Sequence, residues 1–221
     1  GESFLGTTLL SGDNPAQAQD IARKLDEYNR ERKAIEDIVL DQAISAVEGR
    51  SKVGSMVLVG GEDWHPGVIG IVASRLKDRY HVPSLVMGLV DGVYKGSGRS
   101  VRGIDLGAAI IAARQAGLLI NGGGHGMAAG FTLDPEKQDA FEAFLEERFA
   151  KIIEENDIRP TITVDGALHA HGATIELIDA LEKLGPFGAG NAEPRFAFVD
   201  CRAVKADVVG ADHVRCILTG A

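Results

Sequence analysis

Gly96-Ser97-Gly98-Arg99-Ser100 and Asn121-Gly122-Gly123-Gly124-His125-Gly126 decide how this chain is read. The first stretch follows the apolar run Leu85 to Val90 and the dipeptide Asp91-Gly92, a strong signal for a two-residue hairpin turn. Small residues let a backbone come close to a ligand and aim N–H groups at an anion. Arg99 adds a planar, always-charged fork suited to phosphate, and Ser97 and Ser100 add hydroxyl donors. A glycine-serine turn carrying an arginine reads the same way with no ligand at all. In the second stretch three glycines follow Leu118 to Ile120. Glycine loses more backbone freedom on folding than any other residue, and a plain turn needs one or two. His125 then either donates to a phosphate oxygen or closes a tight turn, and the residues alone leave both open.

Working outward, Asn14-Pro15 is a helix N-cap and first helical residue. Ile21, Leu25, Tyr28, Ile35, Ile38 and Val39 keep helical spacing as far as Glu48. Such a helix is roughly 50 Å long, a strut between domains. Met56 to Val59 is a short buried strand ending at Gly60-Gly61. Val68 to Tyr80 is a helix with Ile69, Val72 and Leu76 on one face, and Leu85 to Val90 is a second strand. The chain returns through Val93 and Tyr94. Asp105 caps a helix to Ala116, Ala128 to Leu133 is a strand, and Asp134-Pro135 caps a helix to about Glu155. Strand, helix, strand, strand, helix, strand, helix is an α/β domain. Beyond Arg159-Pro160 come a strand at Ile162 to Val164, a helix at Thr174 to Leu184, a turn-rich segment to Pro194 and a β run from Arg195 to Leu218. Three parts follow: 1–54 with the strut, 55–157 as the α/β domain, and 158–221 as a β-rich segment.

Composition is that of a globular protein, with 45% hydrophobic and 25% charged residues. No apolar run is long enough to span a bilayer, so no membrane is expected. Cys201 and Cys216 form no CxxC pair and read as free thiols in a reducing cytoplasm. The net charge of −9 speaks against a general nucleic-acid binder, but its distribution is uneven. Lys95, Arg99, Arg102 and Arg114 face Asp105 alone between Gly92 and Gly117, whereas Asp134 to Asp157 holds nine acids and three bases. A binding face is therefore basic on an otherwise acidic chain, or both stretches are merely solvated.

Trp64-His65-Pro66-Gly67 opens a helix whose N-terminus attracts anions. Trp64 is a base-stacking candidate or a core residue, and His65 an anion contact or a cap. His169 and His171 share a face if extended, but no third ligand is spaced to complete a metal site. Walker A and Gly-x-Ser-x-Gly patterns are missing, as is a carboxylate cluster for two metals. No metal ligand and no catalytic residue are assigned in these 221 residues.

The two glycine-rich stretches, the second continued as Met127-Ala128-Ala129-Gly130-Phe131, resemble the DHHA1 domain, which follows the DHH phosphoesterase domain in a superfamily of nucleases and small-nucleotide phosphodiesterases. Residues 64–76, 25–33 (Leu-Asp-Glu-Tyr-Asn-Arg-Glu-Arg-Lys) and 186–191 (Pro-Phe-Gly-Ala-Gly-Asn) resemble the RecJ branch, the last at the entry to an OB-fold domain. The resemblance covers nearly the whole chain in matching order. It implies a mixed sheet flanked by helices, a long connecting helix and a partial OB-like segment. It also implies a 5′→3′ exonuclease acting on single-stranded DNA in repair and recombination, with Mn²⁺ or Mg²⁺ in a DHH domain. By the same resemblance Ser97, Gly98, Arg99, Ser100, Gly123, Gly124 and His125 hold DNA phosphates, with His65 beside them. Partners would be single-stranded DNA, the DHH domain and other repair proteins. The DHH motif does not occur here, and Gly1 to Leu10 resembles the end of that domain. The chain is thus expected to be truncated at both ends, to bind DNA weakly and not to cut it. Alternatives are an oligoribonuclease or cyclic-dinucleotide phosphodiesterase of the same superfamily, and a non-enzymatic RNA-binding tail module.

Overall fold

A computed structural model describes residues 4–210 and 213–220. It divides into two compact units, Gly1–Arg159 and Pro160–Ala221.

The first unit opens with helices α1 (Phe4–Ser11) and α2 (Pro15–Glu48). Asn14 caps α2 by accepting from the N–H groups of Ala16 and Gln17 at 3.1 and 3.2 Å, and Pro15 at the first position forfeits a hydrogen bond the helix would not have made. Then follow β1 (Val57–Gly61), α3 (Pro66–Tyr80), β2 (Ser84–Val90), β3 (Val93–Arg99), α4 (Leu106–Gln115), β4 (Asn121–His125), β5 (Ala128–Leu133) and α5 (Gln138–Asn156). The sheet order is β1-β2-β3-β5-β4. β1 and β2 are parallel, joined through α3, and the other neighbours are antiparallel. Asp91 and Gly92 both have positive φ, as the turn of a tight hairpin requires.

Two apolar cores clothe the sheet. On one face Leu58, Leu85, Met87, Phe131 and Leu133 meet Leu106 and Ile110 of α4 and Phe141, Leu145 and Phe149 of α5. On the other, Val57, Val59 and Val86 meet Val68, Val72 and Leu76 of α3 and Val39, Ala43 and Val47 of α2. The buried Trp64 ring belongs to this second core, and its Nε1 donates to Gln42 Oε1 at 2.7 Å. Glu36, also buried, is held by Arg32 at 2.7 Å on its own helix and reached by Arg75 of α3 at 3.7 Å. An unpaired carboxylate there would be costly; paired, it fixes α2 against α3. Helix α2 is therefore anchored by its C-terminal half within the first unit, while Tyr28, Ile35 and Ile38 stay exposed.

Two sequence expectations change here. The glycine run at 122–124 is not a turn but the interior of edge strand β4, and the Gly-Ser-Gly-Arg stretch lies in β3, inside the sheet rather than in a loop.

The second unit pairs β6 (Gly166–Leu168) with β7 (Phe196–Phe198) in parallel and β8 (Arg202–Val209) with β9 (His213–Thr219) in antiparallel, with helix α6 (Ile175–Glu182) between β6 and β7 in sequence. The strand expected at Ile162 to Val164 lies instead at Gly166–Leu168. Thr174 caps α6 by accepting from Leu177 N–H at 3.3 Å. Val204, Val208, Val214, Ile217 and Leu218 of the β8–β9 pair are exposed.

Candidate nucleic-acid interface

Strand register explains the glycines. Side chains alternate along a strand, and residues directly opposite in an antiparallel pair share a face. On β3, Gly96 and Gly98 point into the α4–α5 core. A Cβ at Gly96 would collide with the Phe131 ring, and one at Gly98 would sit 2.8 Å from Leu106 Cδ2. On β4, a Cβ at Gly122 would lie 2.7 Å from Ile110 Cγ2 of α4, and one at Gly124 would strike the backbone of Ala128 and Ala129. These four glycines are required by packing.

The opposite face carries a different set. Lys95, Thr132 and Asn121 form one row across β3, β5 and β4; Ser97, Gly130 and Gly123 form the next; Arg99, Ala128 and His125 form the third. A Cβ at Gly123 would meet nothing within 4 Å, and one at Gly130 only the carbonyl of Gly96 at 3.8 Å. Glycine inside a strand weakens it by roughly 0.5–1 kcal/mol relative to alanine. Packing supplies no reason for these two. The remaining physical reason is close approach of something to the backbone.

Arg99 lies at the border of this face and α3. Its Nη1 donates to Ser97 Oγ at 3.2 Å and to the Gly98 carbonyl at 3.0 Å. Gly70 of α3 leaves the room: a Cβ there would stand 3.1 Å from Ser97 Oγ and 3.3 Å from Arg99 Nη2. His125 is exposed, and its Nδ1 accepts from Met127 N–H at 3.3 Å. That acceptor role puts the proton of the neutral ring on Nε2, which is free to donate outward. Lys95 Nζ donates to Thr132 Oγ1 at 3.2 Å. Among the described residues Lys95, Arg99, Arg102 and Arg114 make no ion pair, although salt bridges are common elsewhere, as at Arg32, Arg50, Arg79 and Arg215. Arg114 instead donates to the Gly122 carbonyl at 3.2 Å, which blunts the edge of β4.

Several expected site residues are placed differently. Ser100 is fully buried: its hydroxyl donates to the Ile104 carbonyl at 2.7 Å and its N–H to the Met127 carbonyl at 2.9 Å. It braces the turn after β3 and presents no donor to the open face. Gly98 faces the core and Gly124 the α4 side, so neither lines that face with its α-carbon hydrogens. Ser97, Arg99, Gly123 and His125 are brought together. His65 is exposed and caps α3, its Nδ1 accepting from Gly67 N–H at 2.9 Å. Trp64 is core, so its stacking role is lost. His169 and His171 stack with ring centroids 5.6 Å apart. Among the described residues no three His, Cys, Asp or Glu gather as a metal site would need. Gly130, Lys95, Thr132 and Asn121 were missed by sequence reasoning, because only strand register brings them onto this face.

The DHHA1 domain family matches residues 50–151, and the RecJ OB domain family matches 164–221. The single-stranded-DNA-specific exonuclease RecJ of Bacillus subtilis (strain 168) is 34% identical over 96% of this chain, and that of Escherichia coli (strain K12) is 31% identical over 97%. The chain spans 27% and 38% of those proteins. A crystal structure of RecJ from Thermus thermophilus in complex with Mn²⁺ superposes with a TM-score of 0.81 at 28% identity, over 99% of this chain and 32% of that one. With both domain families and the RecJ sequences aligned along almost its whole length, the chain belongs to the RecJ family, of which it carries a DHHA1 domain and a RecJ OB domain.

Proposed function

We propose that this chain is the substrate-holding part of a single-strand-specific 5′→3′ DNA exonuclease of repair and recombination, gripping the strand by its phosphates on the open face of β3, β5 and β4. The carrying observation is the pair Gly123 and Gly130: adjacent, mid-strand, and without a neighbour that needs them bare. Beside them stand an arginine with no carboxylate partner among the described residues and a histidine with its Nε2–H outward. A strand pressed on the glycine floor brings a phosphodiester between Arg99 and His125, whose α-carbons are about 10 Å apart across two strand spacings. Arg99 supplies the charge-assisted fork, Ser97 holds its Nη1 in place, and the floor excludes side chains that would keep the backbone of the DNA at a distance. Gly98, Gly124 and Ser100 serve by shaping β3 and β4, and His65 stands as a further anion contact at the start of α3.

Cutting is assigned to two divalent ions, Mn²⁺ or Mg²⁺, on a DHH domain outside these residues, so the chain alone binds without hydrolysing. No helix among the described residues is long and apolar enough to cross a membrane, and free Cys201 and Cys216 suit a cytoplasmic setting. Other repair proteins are further partners. The RecJ OB domain match favours this reading over a small-nucleotide phosphodiesterase or an RNA-binding tail.

The test is fluorescence anisotropy with a 5′-phosphorylated single-stranded oligonucleotide at low and moderate salt. Affinity should fall as salt rises, and Arg99→Ala should lower the slope of log K against log salt by about 0.7, the single-strand increment per neutralised phosphate. A salt-independent affinity, or a slope untouched by the substitution, removes the phosphate grip.

A further inference from the structure

We infer that the row Lys95, Thr132 and Asn121 is a second phosphate seat on this face, distinct from the Arg99–His125 seat and separated from it by one nucleotide lying on the glycine floor. The inference rests on the reading above and adds residues and a register to it. A hollow of about 330 Å³ opens at this row, lined by Asn121, Gly122, Gly123, Gly130, Phe131 and Thr132. Lys95 stands at its margin, and its Nζ touches Thr132 Oγ1 and no carboxylate among the described residues. Because that Oγ1 accepts from Lys95, the threonine keeps its own proton to donate. Asn121 Oδ1 accepts from Gly122 N–H at 2.8 Å, which turns its NH₂ away from the strand. One cation, one hydroxyl and one amide donor therefore meet at a polar hollow with no fixed anion, the chemistry of an oxyanion seat rather than of a base pocket.

The spacing selects the ligand. The α-carbons of Lys95 and Arg99 lie four residues apart on one strand, about 13 Å. An extended nucleotide unit has the length of two strand residues, roughly 7 Å, so the two seats match phosphates that are next-but-one neighbours. The intermediate phosphate falls over Gly130 and Gly123, where the bare backbone lets the strand lie close. A strand bound this way runs along β5, which lies between β3 and β4.

The full chain is titrated with short 5′-phosphorylated oligothymidylates, each carrying one neutral methylphosphonate linkage at a different position. The unaltered chain should lose affinity at two positions with one tolerant linkage between them. Lys95→Ala should become indifferent to neutralisation at one of the two and Arg99→Ala at the other, each with a salt slope lower by about 0.7. Asn121→Ala should weaken binding with the slope unchanged. If Lys95→Ala keeps both sensitive positions, or weakens every oligonucleotide equally, the second seat is wrong while the Arg99 seat stands. If Arg99→Ala is also without effect, or the unaltered chain binds none of the probes, the parent reading falls and this one with it.

Discussion

The two faces of the β3-β5-β4 half-sheet use the same residue for opposite purposes. Toward α4 and α5, Gly96, Gly98, Gly122 and Gly124 are bare because something already occupies the space of a side chain. On the reverse face Gly123 and Gly130 are bare with nothing against them. A glycine-rich motif is thus a mixture of fold and function, and the strand's alternation separates the two. The phenotype of an alanine should switch sign between neighbouring positions.

The largest effect is expected on the closed side. Gly124→Ala drives a methyl into the backbone of Ala128 and Ala129, which no side-chain rotation relieves. Overpacking costs about 1–3 kcal/mol, and this substitution belongs at or above the top of that range. Urea denaturation should show a large fall in midpoint with binding lost alongside; an unchanged midpoint would mean that β4 does not pair with β5 in this register. Next is Ser100→Ala, which removes the donor to the Ile104 carbonyl and leaves that group in a fully buried setting. A loss of about 1–3 kcal/mol in stability follows. At temperatures where the variant remains folded, its DNA affinity and salt slope should equal those of the unaltered chain. A lowered slope would return Ser100 to the phosphate contacts.

Much of this architecture is legible in the chain itself. Asp91-Gly92 announces the hairpin, Asn14-Pro15 starts the strut, and apolar runs mark β1, β2 and β5. The glycine run is not legible as a strand, because period-2 patterning is carried by side chains and three glycines have none. The site is half legible for a related reason. Arg99 and His125 stand in motifs, and so can be named from sequence. That Lys95 shares a row with Thr132 and Asn121 is a fact of register, which local sequence specifies only after the pairing is known. Ser100 fails in the reverse direction: it sits in the motif, but it lies one residue past the end of β3, where the chain turns and carries its hydroxyl inward.

Smaller again is His125→Ala. It deletes an outward donor and the acceptor for Met127 N–H, an exposed contact at 3.3 Å. Binding should weaken while the melting temperature moves little. A strong fall in melting temperature would make the histidine a turn-closing residue and nothing more.

The smallest change in stability should be the most informative. Gly123→Ala places its methyl in open space on a strand whose backbone is not in the left-handed region. Removing glycine's excess unfolded-state freedom favours the fold by roughly 0.5–1 kcal/mol, so the denaturation midpoint should hold or rise slightly. The same methyl stands on the floor between the two rows of polar side chains. A DNA strand lying against that backbone would be lifted, carrying its neighbouring phosphate away from Arg99 and His125, and affinity should drop even though no charge and no hydrogen-bonding group has been removed. Neither half of that result is available to a purely structural account of the glycine run, which requires the alanine to cost stability. Nor is it available to a diffuse basic field, for which an uncharged methyl is invisible. If Gly123→Ala binds as tightly as the unaltered chain while Arg99→Ala does not, DNA is held above the sheet by long side chains alone, and the bareness of Gly123 and Gly130 has another cause.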